Sequence, residues 1–337
     1  MDSQHYRDRV LLTAAIAAFT ALLVLLIWQV GEILLVVFAG ALLATGWVGV
    51  ARWASQRLPI GYTAAVLIEV ALCLGFVALV TAVSGPGLAD QARQLTEHIP
   101  EVIERLREGA WAERLRPFFP DADPELPTTL LARLGGAFST ALGALANALI
   151  ILFIGVYGAI EPDVYQRAAI TLVPPRRRER AAEVLSTCAR VLRWWLVGRL
   201  VSMTAVGVLT AGALAVAGIP LALVLGLLAG VLSFVPYVGP LLSAVPALLV
   251  GLGQGVTSAF VVAAIFLGVQ LVENNLITPL VERKAVSLPP AALLTAQLLS
   301  GVLFGLLGVL LATPLTVTAT VIVRLLYVED ILGDAPD

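Results

Sequence analysis

The chain has 337 residues, 59% of them hydrophobic and only 13% charged, with a formal net charge of −2 and a mean hydropathy of +0.96. Such a composition excludes a water-soluble domain and describes a polytopic membrane protein. Lys284 is the sole lysine and follows no glycine-rich turn, which excludes a phosphate-binding loop and with it self-powered ATP hydrolysis.

In chain order, residues 10–28 are apolar over about the length that crosses roughly 30 Å of hydrocarbon as a helix. Arg7 and Arg9 precede them, and because a second apolar run follows almost directly, the segment reads as a retained anchor and not a cleaved leader. Gln29, Gly31 and Glu32 are expected to form a polar turn, with residues 33–50 returning, so that the first two spans make a hairpin. Arg52 and Arg57, together with Arg7 and Arg9, place this side and the N-terminus in the cytoplasm by the positive-inside rule. Residues 60–83 then cross outward and complete an N-terminal transmembrane unit, residues 1–83.

Residues 84–133 differ in kind, being polar and rich in charge. Leu88, Ala92, Leu95, Ile99, Val102 and Leu106 recur at alternating steps of four and three, which places them on one stripe of a helix. That stripe docks either on the membrane domain of its own chain or on a neighbouring subunit. Residues 134–160 cross back. Beyond them Arg167, Arg176, Arg177, Arg178, Arg180, Arg190 and Arg193 form the densest basic cluster in the chain, marking a cytoplasmic side. Residues 161–195 therefore read as a basic amphipathic helix on the membrane surface, with Val184, Leu185, Cys188, Val191, Leu192 and Trp195 on its apolar side. Its partner is the lipid bilayer; nucleic acid is not expected.

The C-terminal transmembrane domain, residues 196–327, begins with a span over 196–217. The next apolar run is broken at Pro236-Tyr237-Val238-Gly239-Pro240, with Pro220 before the break and Pro246 after it. Residues 256–272 form a further span, ending in Glu273-Asn274-Asn275 and a polar connection that carries Pro279. The last apolar stretch, residues 290–326, opens with Pro290, carries Gly301, Gly305 and Gly308, and is interrupted at Pro314. It is too long for one straight crossing and has to be broken, re-entrant or strongly tilted. The count comes to roughly seven or eight crossings. Residues 328–337, an acidic tail, are expected to be disordered. The fold class is thus all-α, a polytopic transmembrane helical bundle with two interrupted or re-entrant segments in its C-terminal half.

An irregular segment at membrane depth survives only where protein or a wet cavity satisfies its backbone, so each break is a candidate ligand site. The runs that lead into them are alike: Leu227-Leu228-Ala229-Gly230-Val231-Leu232 matches Leu298-Leu299-Ser300-Gly301-Val302-Leu303 at five of six positions. Paired interrupted segments point to a transporter's central site, although Leu, Val and Gly also coincide by chance in membrane sequences. Gln270, Glu273 and Asn274 share one helical face. A carboxylate between two amides there could bind a cation or exchange a proton; the plainer alternative is an interfacial glutamate at a helix end. Gln297, at the start of the second broken run, could complete a polar pocket with these three residues, in one site that also takes in Pro236, Tyr237, Gly239 and Pro240 of the first break. Glu69 lies about 13 Å along its span, where it has to be protonated, paired or facing a cavity.

Absences narrow the chemistry. His5 and His98 lie outside the spans, and no aspartate occurs between Asp163 and Asp330, which removes a histidine metal site in the membrane and a paired-aspartate protease at the breaks. No nucleophile elbow or His-Glu-x-x-His helix is present. Neither an enzyme nor a resident cofactor is expected.

The break at Pro236 to Pro240, followed by Pro246, Gln270-x-x-Glu273-Asn274, Pro279 and the Gly301, Gly305, Gly308, Pro314 run, resembles the autoinducer-2 exporter family of bacterial membrane proteins. The likeness is strongest over residues 196–324. It implies export of small polar signalling molecules, as in some members, or sodium/proton exchange, as in others, with Na+ or H+ as coupling ion. It also implies a homo-oligomer, a pentamer, in the bacterial cytoplasmic membrane, and elevator-like movement of a domain containing the broken helices. A non-transporting scaffold or regulator that uses residues 84–133 is the alternative from another class.

Overall fold

The computed structural model describes residues 3–79, 81–82, 147–277, 279 and 289–333, with side chains from Val30 onward. The stripe expected over residues 84–133, the first part of the crossing over 134–160, and the connection carrying Glu282, Arg283 and Lys284 lie outside the described residues. Among those described, every regular element is helical.

The first helix, α1 (Ser3–Arg57), runs unbroken through residues 29–32. The expected hairpin is therefore replaced by one long helix: three polar positions without a proline interrupt an apolar run but remove no backbone hydrogen bond. Gly31 has another use, since a Cβ there would lie 2.7 Å from the ring of Phe304; its bare backbone admits that ring. α2 (Tyr62–Leu79) follows, and α3 (Asn147–Ile160) meets α4 (Pro162–Thr171) at a bend of 93°.

After a short 3₁₀ turn at Pro175–Arg177, α5 (Arg178–Val216) extends over 39 residues without interruption. The boundary expected at residue 195 thus falls inside one helix, and residues 178–195 are not a separate surface helix. Nothing between Trp195 and Gly198 stops a helix, and the stripe read as lipid-facing continues into the protein as Val184, Cys188, Leu192, Trp195, Gly198, Ser202, Val206, Thr210 and Leu214, all buried. Steps of three and four keep these residues on one face.

α6 (Ala222–Leu232) and α7 (Val238–Gln254) flank the first break, and α8 (Val256–Val272) continues into a π-type turn, Glu273–Ile277. The last helix, α9 (Pro290–Ile322), extends through a second π-type stretch, Val323–Leu332. Its interruption lies at Gly305 and not at Pro314, which is buried and continues the helix; Pro246, half-buried, likewise lies inside α7. A proline removes one hydrogen bond, which a membrane helix tolerates where neighbours re-satisfy the backbone. Among the described residues, five helices are long and apolar enough to cross a membrane, or six if the bent α3–α4 pair is one span. Within these residues α1 absorbs the expected hairpin, while α6 and α7 are shorter than the usual crossing length.

The core gathers where these elements meet. Leu35, Ala39 and Leu42 of α1 pack on Leu192 and Trp195 of α5 and on Leu311 and Val317 of α9, with Phe234 of the first break at the edge. A second cluster joins Ala44, Val48 and Ala51 of α1 to Ala65, Val66 and Val70 of α2 and Ala159 of α3. Gly226 and Gly230 let α6 press its backbone against Gly207 and Ala211 of α5, the close approach small residues permit between membrane helices. The other faces of α2 and α9 leave large apolar side chains such as Leu72, Phe76, Leu298 and Val302 exposed, as lipid-facing surfaces require.

The acidic end is ordered through Leu332, against expectation. Arg180 binds Glu329 at 3.0 Å and Asp330 at 2.8 Å and donates to the Leu325 carbonyl at 2.8 Å. One multidentate guanidinium provides the anchor that composition alone does not reveal. Residues 334–337 lie outside the described residues.

Candidate functional site

The first break begins with proline chemistry. Pro236 has no N–H to donate and cannot extend α6, and the chain turns at Tyr237, whose φ of 64° and ψ of −52° are those of a γ-turn of the strained, positive-φ type. Val238 N–H closes it on the Pro236 carbonyl at 2.7 Å. Gly239 follows because a Cβ there would run into the backbone carbonyl of Leu232. Pro240 sits in the first turn of α7, where a missing N–H costs the helix nothing. Pro220 occupies the turn before α6.

The second break uses glycine. Gly305 has φ 61° and ψ −144°, a conformation closed to residues with a side chain. A Cβ on Gly308 would collide with the Ser300 carbonyl, although residues eight apart on a straight helix are separated by about 12 Å. The two arms of α9 therefore fold back on each other. Gly301 lies against the Val309 side chain for the same reason. Pro290 opens the first arm, and Pro279 is exposed between stretches outside the described residues.

Between the breaks lies a buried polar cluster. Glu273, at the end of α8, is 4% exposed. Ser202 Oγ donates to its Oε1 at 2.8 Å and Gln270 Nε2 to its Oε2 at 3.1 Å. Arg199 Nη1 stands 3.7 Å from Oε1, and Arg199 Nε donates to the Phe234 carbonyl at 3.0 Å. Gln270 also donates to Asn274 Oδ1 at 3.2 Å, Asn274 itself being exposed. Gln297, 2% exposed on the first arm of α9, donates to the Pro236 carbonyl at 3.1 Å. Its Oε1 is buried with no partner among the described residues. Tyr237 is exposed at the tip of the break.

The sequence reading puts Pro236, Tyr237, Gly239, Pro240, Gln270, Glu273, Asn274 and Gln297 in one site; in the structure Gln270 bonds Glu273 and Asn274, and Gln297 bonds Pro236. It missed Arg199, Ser202 and the Phe234 carbonyl, which link the two. Arg199 could have been found, since a lone arginine inside an apolar run is a functional signal, and Ser202 shares its face three residues on. Because the carboxylate has a guanidinium and two donors, the cluster holds a charge inside the protein without leaving it bare.

A model of AI-2E family transporters matches residues 17–327. The chain belongs to the AI-2E transporter family. Within it, "Putative transport protein YueF" of Bacillus subtilis is 23% identical over 283 residues, covering 79% of this chain and 76% of YueF. The similarly named YrrI of Bacillus subtilis is 30% identical over 166 residues, 49% of this chain and 47% of YrrI. MT0215 of Mycobacterium tuberculosis, again with a transport-protein name of that form, is 38% identical over 116 residues, 34% of this chain and 31% of its own. Family membership and the apolar helices make this AI-2E protein a multi-pass membrane protein.

Glu69 stands apart from the cluster. Both its carboxylate oxygens are buried and make no hydrogen bond among the described residues, so the pairing considered from the sequence is not found there. An ionised acid at a span's centre costs about 2.5–3.5 kcal/mol. Glu69→Leu is accordingly expected to stabilise the detergent-purified protein by about 2 kcal/mol in thermal unfolding. A loss of stability would mean that Glu69 pairs with a group outside the described residues.

Proposed function

We propose that this AI-2E family protein is a secondary transporter that exports small polar solutes through a site formed by Pro236 to Pro240, Gln270, Glu273, Asn274 and Gln297. The observation that carries this reading is the Gln297–Pro236 hydrogen bond, which ties one broken helix to the tip of the other across 61 residues of sequence. Helix breaks expose backbone carbonyls and amides where a solute can replace them as partner. Gln297 Oε1, without a partner among the described residues, supplies an acceptor for such a solute, and the Glu273 carboxylate gives the site a group whose pairing can change during transport.

Alternating access in this reading is an elevator-like movement of residues 196–327, driven by Na+ or H+. The assembly it takes over from the family resemblance is a homopentamer in the bacterial cytoplasmic membrane; because α1 is unbroken, Arg7 and Arg9 lie at the opposite end from Arg52 and Arg57, and the positive-inside rule no longer puts both pairs in the cytoplasm. No enzymatic step is part of it. Purified protein in proteoliposomes, given a panel of labelled small polar solutes, is the test. Glu273→Gln is expected to lower flux about tenfold or more, the effect of losing roughly 1.4 kcal/mol in the rate-limiting step; equal flux in variant and wild type removes Glu273 from the mechanism.

The antiporter alternative gives Glu273 directly to a cation. Oxygen ligands suit Na+, but Ser202 and Gln270 point donors at this carboxylate and Arg199 is its countercharge, so a cation has to displace them. A pH-sensitive dye in inverted vesicles separates the two: acidification reversed by added Na+ or Li+ favours antiport, and no response over a broad pH range counts against it.

A further inference from the structure

A second polar feature lies away from the breaks, where α1 ends, α2 begins and α3 turns into α4. A cavity of about 330 Å³ opens there, lined among others by Arg52, Tyr62, Glu161, Asp163 and Arg167. Its size is at the lower end of small-ligand sites. Tyr62 closes its base by donating to the Ala159 carbonyl at 2.8 Å. Arg52 and Asp163 face each other at 3.7 Å with both side chains more than half exposed, a weak pair that a ligand can open. Arg167 donates through Nε to the Asp163 backbone carbonyl at 3.0 Å and forms no carboxylate pair among the described residues.

Three observations put this cavity at the depth of lipid headgroups. It sits at the polar ends of three apolar helices. α4, turned 93° from α3, leaves Val164 and Tyr165 exposed beside its charges, and Leu172 just past its end is exposed as well, the mixture of an interfacial helix. Trp53 is exposed nearby in sequence to Arg52, with the Arg57 guanidinium 4.9 Å above its ring, as aromatic residues at a membrane boundary are placed. The lining carries two guanidinium groups and two carboxylates. A purely anionic headgroup would meet both carboxylates, whereas a headgroup with a phosphate and a hydrogen-bonding ammonium satisfies both signs at once.

We infer that this cavity binds the headgroup of a phosphoethanolamine lipid, with Arg167 and Arg52 on the phosphate and Glu161 and Asp163 on the ammonium. The inference is independent of the transport reading. Arg is suited to the phosphate by its planar fork, and an ammonium with N–H groups is preferred over a trimethylammonium because carboxylates accept its hydrogen bonds.

Native mass spectrometry of the full-length protein, exchanged into detergent with dioleoyl phosphatidylethanolamine, phosphatidylglycerol or phosphatidylcholine, tests it. The expected result is retention of the ethanolamine lipid about tenfold above the other two. The double change Glu161→Gln and Asp163→Asn is expected to bring it down to the choline lipid, and Arg167→Gln to lower all three. Equal retention of the three lipids on the wild type, or stronger retention of phosphatidylglycerol, overturns the inference, and neither result depends on a variant that folds. Soluble phosphoethanolamine bound with no lipid preference overturns the assignment to a lipid.

Discussion

Arg199→Met is expected to lower the unfolding free energy by about 3–5 kcal/mol, because removing one partner of a buried ion pair leaves the other charge uncompensated. Arg199 and Glu273 have side chains only 12% and 5% exposed. Their 3.7 Å separation is longer than a charge-assisted hydrogen bond, so the size of the effect comes from burial and not from contact geometry. Ser202 and Gln270 would still donate to the carboxylate but neither can neutralise it. Adding Glu273→Gln should recover much of the loss, since the second change removes the stranded charge. Denaturant unfolding of the two single variants and the double variant forms a cycle. If Arg199→Met costs the same with and without Glu273, the two residues are not coupled and Arg199 acts through its other contacts, the Phe234 carbonyl among them.

The other large effect is expected at Gly239. Gly239→Ala puts a Cβ into the Leu232 carbonyl, a backbone atom that cannot rotate away, and should cost at least the roughly 1–3 kcal/mol typical of overpacking. The strained turn at Tyr237 has to open to relieve it, moving the Pro236 carbonyl off Gln297. Gly212→Ala and Gly268→Ala are the matched controls. Both positions are helical and have nothing within 4 Å of the added carbon, so alanine there should be neutral or stabilise by about 0.5–1 kcal/mol. Thermal unfolding of the three variants decides the matter: three equal midpoints would show that the close packing of α6 against α7 carries no energy.

Proline breaks are legible in a sequence when the missing N–H coincides with a second breaker. Pro236 and Pro240 flank a glycine, and the helix ends there. Pro246 and Pro314 stand alone and lie inside helices, because one lost bond is less than a helix gains from its packed neighbours. Gly305, one of three glycines in its run, is the second reversal. What separates it from Gly301 and Gly308 is its φ and ψ, whereas the other two are small because the returning arm touches them. The polar group Gln29, Gly31 and Glu32 misled for a related reason: Gly31 accommodates Phe304, a residue more than 270 positions away, and the turn it resembles does not form.

The candidate cluster was half legible. A shared helical face brings Gln270, Glu273 and Asn274 together by local geometry alone, so their grouping follows from spacing. Arg199 and Ser202 join them from another helix, and helix-to-helix register is set by which faces pack. The ordered acidic end is a similar case, since Glu329 and Asp330 are held by a guanidinium some 150 residues earlier.

Composition and apolar run length by themselves determined that this chain is helical and lives in a membrane, because hydrocarbon accepts only a backbone bonded within itself. Where the helices reverse, which glutamate has a countercharge and which arginine supplies it were decided by tertiary structure. Those outcomes depend on backbone contact and burial between segments distant in the chain, terms that local periodicity does not contain.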